Sequence, residues 1–176
     1  MKVLVISAAY PPMHAGEATN TYHLCRQLTE RGIDIHVLTS VGNVGTDDPR
    51  IRVYPIMQTW GWLELLRVRS FLKNCSPDAV FLMYIGLMYK FHPMVTFLPT
   101  LSKGLFPNVP FVTRYESAFV GADPSKTGIV SRLFRKLMVQ WAGGKDVAYS
   151  SGTLLRDSDA LIALCERHRA MLLEEW

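Results

Sequence analysis

The apolar positions fall into short runs separated by stripes at helical spacing. Residues 2–8 form a short apolar run that predicts a first strand. Residues 16–31 place Ala18, Thr21, Tyr22, Cys25 and Leu28 on one helical face. Glu17 suits the positive end of that helix, and Gly32 stands where a left-handed C-terminal residue belongs. Residues 33–40 predict the second strand. Residues 41–50, with Gly42, Gly45 and Asp47-Asp48-Pro49, predict a loop, and residues 51–56 a third strand. Residues 60–74 predict a helix with Leu65, Val68 and Leu72 inward, stopped by Ser76-Pro77-Asp78. Residues 79–85 are apolar throughout, as at the centre of a parallel sheet. Residues 91–105 predict a helix interrupted by Pro93 and Pro99, and residues 110–115 the next strand. The clearest helix is 127–141. Its stripe of Val130, Leu133, Phe134, Leu137, Met138 and Trp141 is expected to be buried. After a polar stretch, residues 160–164 predict a last strand and 166–175 a final helix.

This alternation predicts an α/β fold: a doubly wound, Rossmann-like parallel sheet in three α/β/α layers. Ligands of such sheets bind beyond the carboxyl ends of the strands, at the point where strand order reverses. Three loops are therefore expected to matter, at residues 9–17, 85–92 and 115–126.

Composition narrows the picture modestly. The chain has 176 residues, 49% hydrophobic and 19% charged, which fits one globular domain with a core of its own. Its longest apolar run, residues 79–89, is well short of the ~20 residues a membrane-spanning helix needs. Residues 3–9 resemble a signal segment only superficially, because Tyr10-Pro11-Pro12 follows without a small-residue cleavage site. Cys25, Cys75 and Cys165 are scattered and form no CxxC, so neither a disulfide frame nor a zinc site is expected. A net charge of +4 is mildly basic and matters only where it clusters.

The loop after the first strand, Ala9-Tyr10-Pro11-Pro12-Met13-His14-Ala15-Gly16-Glu17, is neither GxGxxG nor GxxxxGK[ST]. Free N–H groups at the helix start can receive a phosphate, and Gly16 has no side chain to block it. A tight turn without a ligand explains the same residues equally well. Asp157-Ser158-Asp159 precedes a strand and reads as a turn, and no metal is expected. His14 and His23 read as groove or surface residues. His36, His92 and His168 show no ligand spacing. Trp60, Trp62, Tyr84, Met88, Tyr89 and Phe91 suit a sugar or lipid acceptor, although core packing is the commoner fate of such residues.

Taken in order, these segments resemble the N-terminal half of the large retaining glycosyltransferase family with the GT-B fold (family 4-like, group 1). The likeness rests on Pro11-Pro12-Met13-His14-Ala15-Gly16, Leu28-Thr29-Glu30-Arg31-Gly32, Val37-Leu38-Thr39, Ser76-Pro77-Asp78 and Ser158-Asp159-Ala160-Leu161-Ile162-Ala163-Leu164-Cys165-Glu166. Ala15 replaces a usual Gly and Cys165 a usual Ser. Thr113-Arg114-Tyr115-Glu116 departs further, because Tyr115 stands where the family often has His.

The resemblance implies an acceptor-side domain whose parent enzyme transfers a sugar from a nucleotide sugar to an acceptor hydroxyl with retention. Ala15 and Gly16 are then expected to approach the donor phosphates, and Tyr115 and Glu116 to act near the transferred sugar. Tyr10, His14, Glu17, Tyr84 and Arg114 are expected to meet a sugar, lipid or small-molecule acceptor. No cofactor or metal and no nucleic acid are implied. The nucleotide-sugar domain is expected to lie outside residues 1–176, leaving the chain inactive alone. A cytoplasmic site is expected. Arg132, Arg135 and Lys136, with Lys126 before them, offer a basic flank for peripheral contact with an anionic membrane. Two other readings stay open: another nucleotide- or cofactor-binding α/β domain, or a non-catalytic interaction domain.

Overall fold

A computed structural model describes residues 1–44, 48–116, 128–143 and 152–174. The elements run β1 (Lys2–Ile6), α1 (Gly16–Glu30), β2 (Asp34–Ser40), β3 (Ile51–Met57), a 3-10 turn (Trp62–Glu64), α2 (Leu65–Cys75) and β4 (Ala79–Tyr84). A second 3-10 turn (Pro93–Phe97) then leads into α3 (Leu98–Leu105), β5 (Phe111–Tyr115), α4 (Ile129–Trp141), α5 (Leu154–Asp157), β6 (Ala160–Ala163) and α6 (Glu166–Glu174). All six strands pair in parallel, in the order β3-β2-β1-β4-β5-β6. The doubly wound, Rossmann-like α/β fold follows from the sequence as read. β1 lies inside the sheet, and Leu4, Val5 and Ile6 are buried on both faces.

Strand alternation divides the core. Val3, Val5, Ile35, Val37 and Met83 meet Cys25 of α1 on one face. Leu4, Ile6, Leu38, Val80, Leu82 and Phe111 meet α2, α3 and α5 on the other. Within α1, Ala18, Thr21, Cys25 and Thr29 are buried, so the inward face runs to Thr29 where the sequence pattern ends on Leu28.

Four local readings are corrected. The helix drawn from Trp60 begins at Trp62 and becomes α-helical only at Leu65. Trp60 is left-handed (φ 53°), and the buried Glu64 carboxylate accepts the backbone N–H groups of Gln58, Thr59 and Trp60. The helix drawn from Phe91 starts at Pro93, because Lys90 and Phe91 both lie at φ 52° and Pro93 suits a first helical position. The polar stretch before β6 contains the short α5, held by Leu154 and Leu155 in the core. The stripe on α4 is not buried. Val130, Leu133, Phe134, Leu137 and Trp141 are exposed, and no residue of this helix is fully buried.

Candidate functional site at the strand reversal

The sheet turns over between β1 and β4, so the loops leaving those strands flank the crevice. Both are firmly tied. Tyr89 Oη donates to the Met83 carbonyl at 2.9 Å and accepts the Ala8 N–H at 3.3 Å, bridging the two loops. The Ala8 carbonyl accepts from Ser40 Oγ at 2.8 Å and Asn43 Nδ2 at 3.0 Å. The chain then enters α1 through Ala15 in an extended conformation, and no side chain caps the helix. Its first-turn N–H groups have no intrahelical acceptor, and Gly16 is exposed with open space where a Cβ would stand.

The predicted site residues separate into two groups. Arg114 pairs in register with Met83, so it projects on the α1 side. Its Nε lies 2.6 Å from Glu116 Oε1, and the Glu116 side chain is 9% exposed. The Glu116 N–H extends the sheet by donating to the Tyr84 carbonyl at 3.0 Å. Burial holds the Glu116 carboxyl above its ordinary range, against the Arg114 guanidinium, which pulls it down. Glu17 adds to the rise and His168 to the fall, so both lie within electrostatic reach of Glu116. Glu17 at the start of α1 and His168 in the first turn of α6 thus lie within electrostatic reach of the Arg114–Glu116 pair at the end of β5.

Tyr115 and Tyr84 go to the other face. Their rings lie 5.3 Å apart, Tyr84 stacks on Tyr89 at 6.0 Å, and Tyr89 meets Trp60 edge-on at 5.0 Å. All four rings are buried, so this aromatic row is core and not an open acceptor wall. Successive residues of a strand point to opposite faces, so Tyr115 and Glu116 do not present their side chains to one point. Tyr10, proposed to meet an acceptor, is fully buried against the α1 face of the sheet. His14 is exposed just before the helix. The loop predicted at 115–126 lies outside the described residues beyond Glu116, as does Lys126.

His168 is the residue that sequence reading missed. It sits in the first turn of α6, half-buried, with Nδ1 shielded from solvent and no hydrogen-bond partner among the described residues. Nothing in local spacing signals it. Its place follows from the register that sets Ala163 beside Tyr115.

Asp157 and Asp159 are occupied structurally. Asp157 accepts from Thr100 and Arg156, while Asp159 accepts the Phe111 N–H at 2.8 Å and pairs with Lys103 at 3.0 Å. Among the described residues, no three His, Cys, Asp or Glu side chains form a cluster able to hold a metal ion. A separate cleft of about 530 Å³ opens at the β6 edge, lined by Leu155, Leu161, Ala163, Cys165, Leu172 and Leu173 among others.

The glycosyl transferase 4-like family profile matches residues 13–108, more than half of the chain. The chain belongs to the glycosyl transferase 4-like family. The matched stretch takes in the start of α1 and Tyr84, and ends before Arg114, Tyr115 and Glu116. No curated protein matches the chain. Among solved structures it is similar to a family 3 carbohydrate esterase from Clostridium thermocellum, at 16% identity over 93% of this chain and 77% of that one, with a TM-score of 0.46. At that distance the likeness carries nothing about the site or its chemistry. As a glycosyl transferase 4-like domain, the chain sets the start of α1 and the Arg114–Glu116 pair at the end of the sheet where doubly wound folds bind ligands.

Proposed function

We propose that the chain is the acceptor-side domain of a two-domain glycosyltransferase, which moves a sugar from a nucleotide donor to an acceptor hydroxyl with retention. The observation that carries this reading is the Arg114–Glu116 ion pair at the end of β5, within electrostatic reach of Glu17 at the uncapped start of α1, in a chain of the glycosyl transferase 4-like family. In the proposed reaction the bond between the anomeric carbon and the donor phosphate breaks, and a bond to the acceptor oxygen forms on the same face. The nucleoside diphosphate leaves.

The N–H groups around Ala15 and Gly16 would hold the donor phosphates. Glu116 would orient the acceptor hydroxyl, or take its proton, through the oxygen not engaged by Arg114. Arg114 is a positioning residue for that carboxylate. Glu17 and His14 would line the acceptor side. Tyr84 and Tyr115 support the floor from beneath. A second Rossmann-like domain would bring the rest of the donor site, and this chain alone would not turn over, since one wall of a cleft neither orients two substrates nor excludes water.

The test is nucleoside diphosphate release from a panel of sugar nucleotides and acceptors. It is run on the 176-residue chain and on the longer product of its genomic reading frame. Turnover is expected from the longer protein only, and Glu116→Gln is expected to lower it roughly 100-fold or more. Turnover by the chain alone, or an unchanged Glu116→Gln enzyme, overturns the assignment.

A further inference from the structure

The sheet ends on two strands of unlike build. β3 closes one edge and β6 the other, and each pairs on one side only among the described residues. An open edge offers unpaired N–H and C=O groups to any passing strand, and natural sheets guard it with charges, prolines and bulges. β3 has all three. Arg52 is exposed, Pro55 sits within the strand, and the pairing with β2 shifts register between Thr39 and Ser40. β6 is short, which limits its edge, but it has none of these devices. It reads Ala160-Leu161-Ile162-Ala163, pairs with β5 in unbroken register and runs on into Leu164. Ile162 and Leu164 are 43% and 47% exposed.

The core does not stop at this edge either. Leu161 and Ala163 lie beside Thr113 and Tyr115 of β5, on the face that packs against α2, α3 and α5. That layer continues at β6 as the cleft of about 530 Å³, lined by Leu155 of α5 and by Leu172 and Leu173 of α6. Leu173 is exposed. An unpaired edge beside an apolar recess suits what a further strand brings, which is backbone partners for the edge and alternate side chains for the recess. Charge narrows who brings it. The carboxylates around the strand are paired within the copy: Asp159 with Lys103, Asp157 with Arg156, and Glu166 with Arg169. The chain carries a net charge of +4, and a face with acids and bases interspersed is where two such chains meet with little repulsion. An acid, Asp159, stands at the start of β6, and two bases, Arg167 and Arg169, follow its end. Antiparallel pairing of two copies of β6 turns the one toward the other.

From this geometry we infer that β6 is a dimerisation edge, on which a second copy of the chain lays its own β6 antiparallel and joins the two six-stranded sheets into one. A two-fold axis through the middle of the edge makes the contact self-complementary, so the two open edges cover each other and association stops at the dimer. Both clefts then lie on the same side of the joined sheet, and their apolar walls meet beneath the joint and exclude water. A strand from an unrelated protein would also pair with the edge, but it gives no reason for the charges at the two ends of β6 to match each other.

The inference does not rest on the transfer reading, because association needs no turnover. Sedimentation velocity of the 176-residue chain from about 1 to 100 µM measures the mass, and hydrogen exchange at both ends of that range locates the contact. A concentration-dependent dimer is expected. The amides of residues 160–163 that β5 leaves free should exchange at least ~10-fold more slowly in the concentrated sample. Ile162→Lys is expected to weaken the dimer at least ~100-fold, because the two-fold axis brings both lysines to the joint. Leu164→Lys, just outside the strand, should act in the same direction, so the test survives if Ile162→Lys does not fold. Both native side chains are exposed, and the circular dichroism of each variant should match the parent. A chain that stays monomeric at about 100 µM overturns the proposal. So does a dimer that both lysine variants leave unchanged, as one held by another face would be. Edge amides already slow in the dilute monomer would mean that the edge is covered within the copy, and overturn it as well.

Discussion

Glu64 offers the sharpest test of how the loop after β3 is held. Its buried carboxylate accepts the Gln58 N–H at 2.9 and 3.2 Å, the Thr59 N–H at 3.1 Å and the Trp60 N–H at 3.0 Å, and pairs with Arg67 at 2.7 Å. That grip fixes Trp60 in a left-handed conformation, packs its ring on Tyr89, and aims its Nε1 at Ser40 Oγ, 2.9 Å away. Glu64→Ala removes every acceptor at once. Gln58 and Thr59 are exposed, so water replaces most of what they lose. The Trp60 N–H is buried, and stranding it costs about 2 kcal/mol. Adding roughly 0.5 kcal/mol for each of the two wet donors gives a loss of about 3 kcal/mol. In a domain of this size that lowers Tm by roughly 6–12 °C. Glu64→Gln should recover little, because its amide sets donors against donors. Thermal and urea unfolding followed by circular dichroism measure the loss directly. A Glu64→Ala protein within about 1 kcal/mol of the parent would mean that ring packing, and not the carboxylate, holds this loop.

Three further outcomes are expected. Gly152→Ala should cost about 3 kcal/mol, because Gly152 sits at φ 54° and an added Cβ runs into the buried Thr96, whose carbonyl is fixed by Thr153; a urea midpoint equal to the parent's would refute this. Gly16→Val should leave stability within about 0.5 kcal/mol, since a Cβ there meets open space. In the transferring enzyme it should reduce turnover roughly 100-fold by blocking phosphate approach, and full activity would remove α1 from the donor site. Ellman's reagent at about pH 8 should find one fast thiol, the exposed Cys165. Cys25, pushed up to about 12 by burial, and Cys75, also raised by burial, should react only on unfolding; three fast thiols would contradict the packing around α1 and α2.

The order of strands and helices was legible because each strand is a short apolar run and each long helix a clear stripe. What a stripe faces was not legible. Periodicity says that α4 has an apolar side, and it cannot say whether protein or solvent meets it. The same limit applies to the site. Tyr115 and Glu116 were grouped by resemblance to a family motif, although a strand sends neighbouring side chains to opposite faces. Period two alone would have separated them. His168 carried no local signal, since its nearness to Glu116 depends on β6 lying beside β5, a relation between residues about fifty apart. The late starts of the helices drawn from Trp60 and Phe91 come from left-handed residues that are not glycine, which composition does not announce.

The position of β1 also sets a schedule for synthesis. β1 leaves the ribosome before the other five strands of this sheet and lies inside it, between a neighbour that follows within a few tens of residues and another that comes much later. The Lys2 N–H, for instance, bonds to Asp78, 76 residues on. At cellular elongation rates that gap amounts to roughly 4 to 15 seconds. Throughout it, one edge of Leu4, Val5 and Ile6 has backbone groups without partners. A nascent chain stalled before Ala79 therefore shows an apolar segment as a template for any passing strand. Translational pausing between the codons of β1 and those of β4 should lower soluble yield more than pausing after β4.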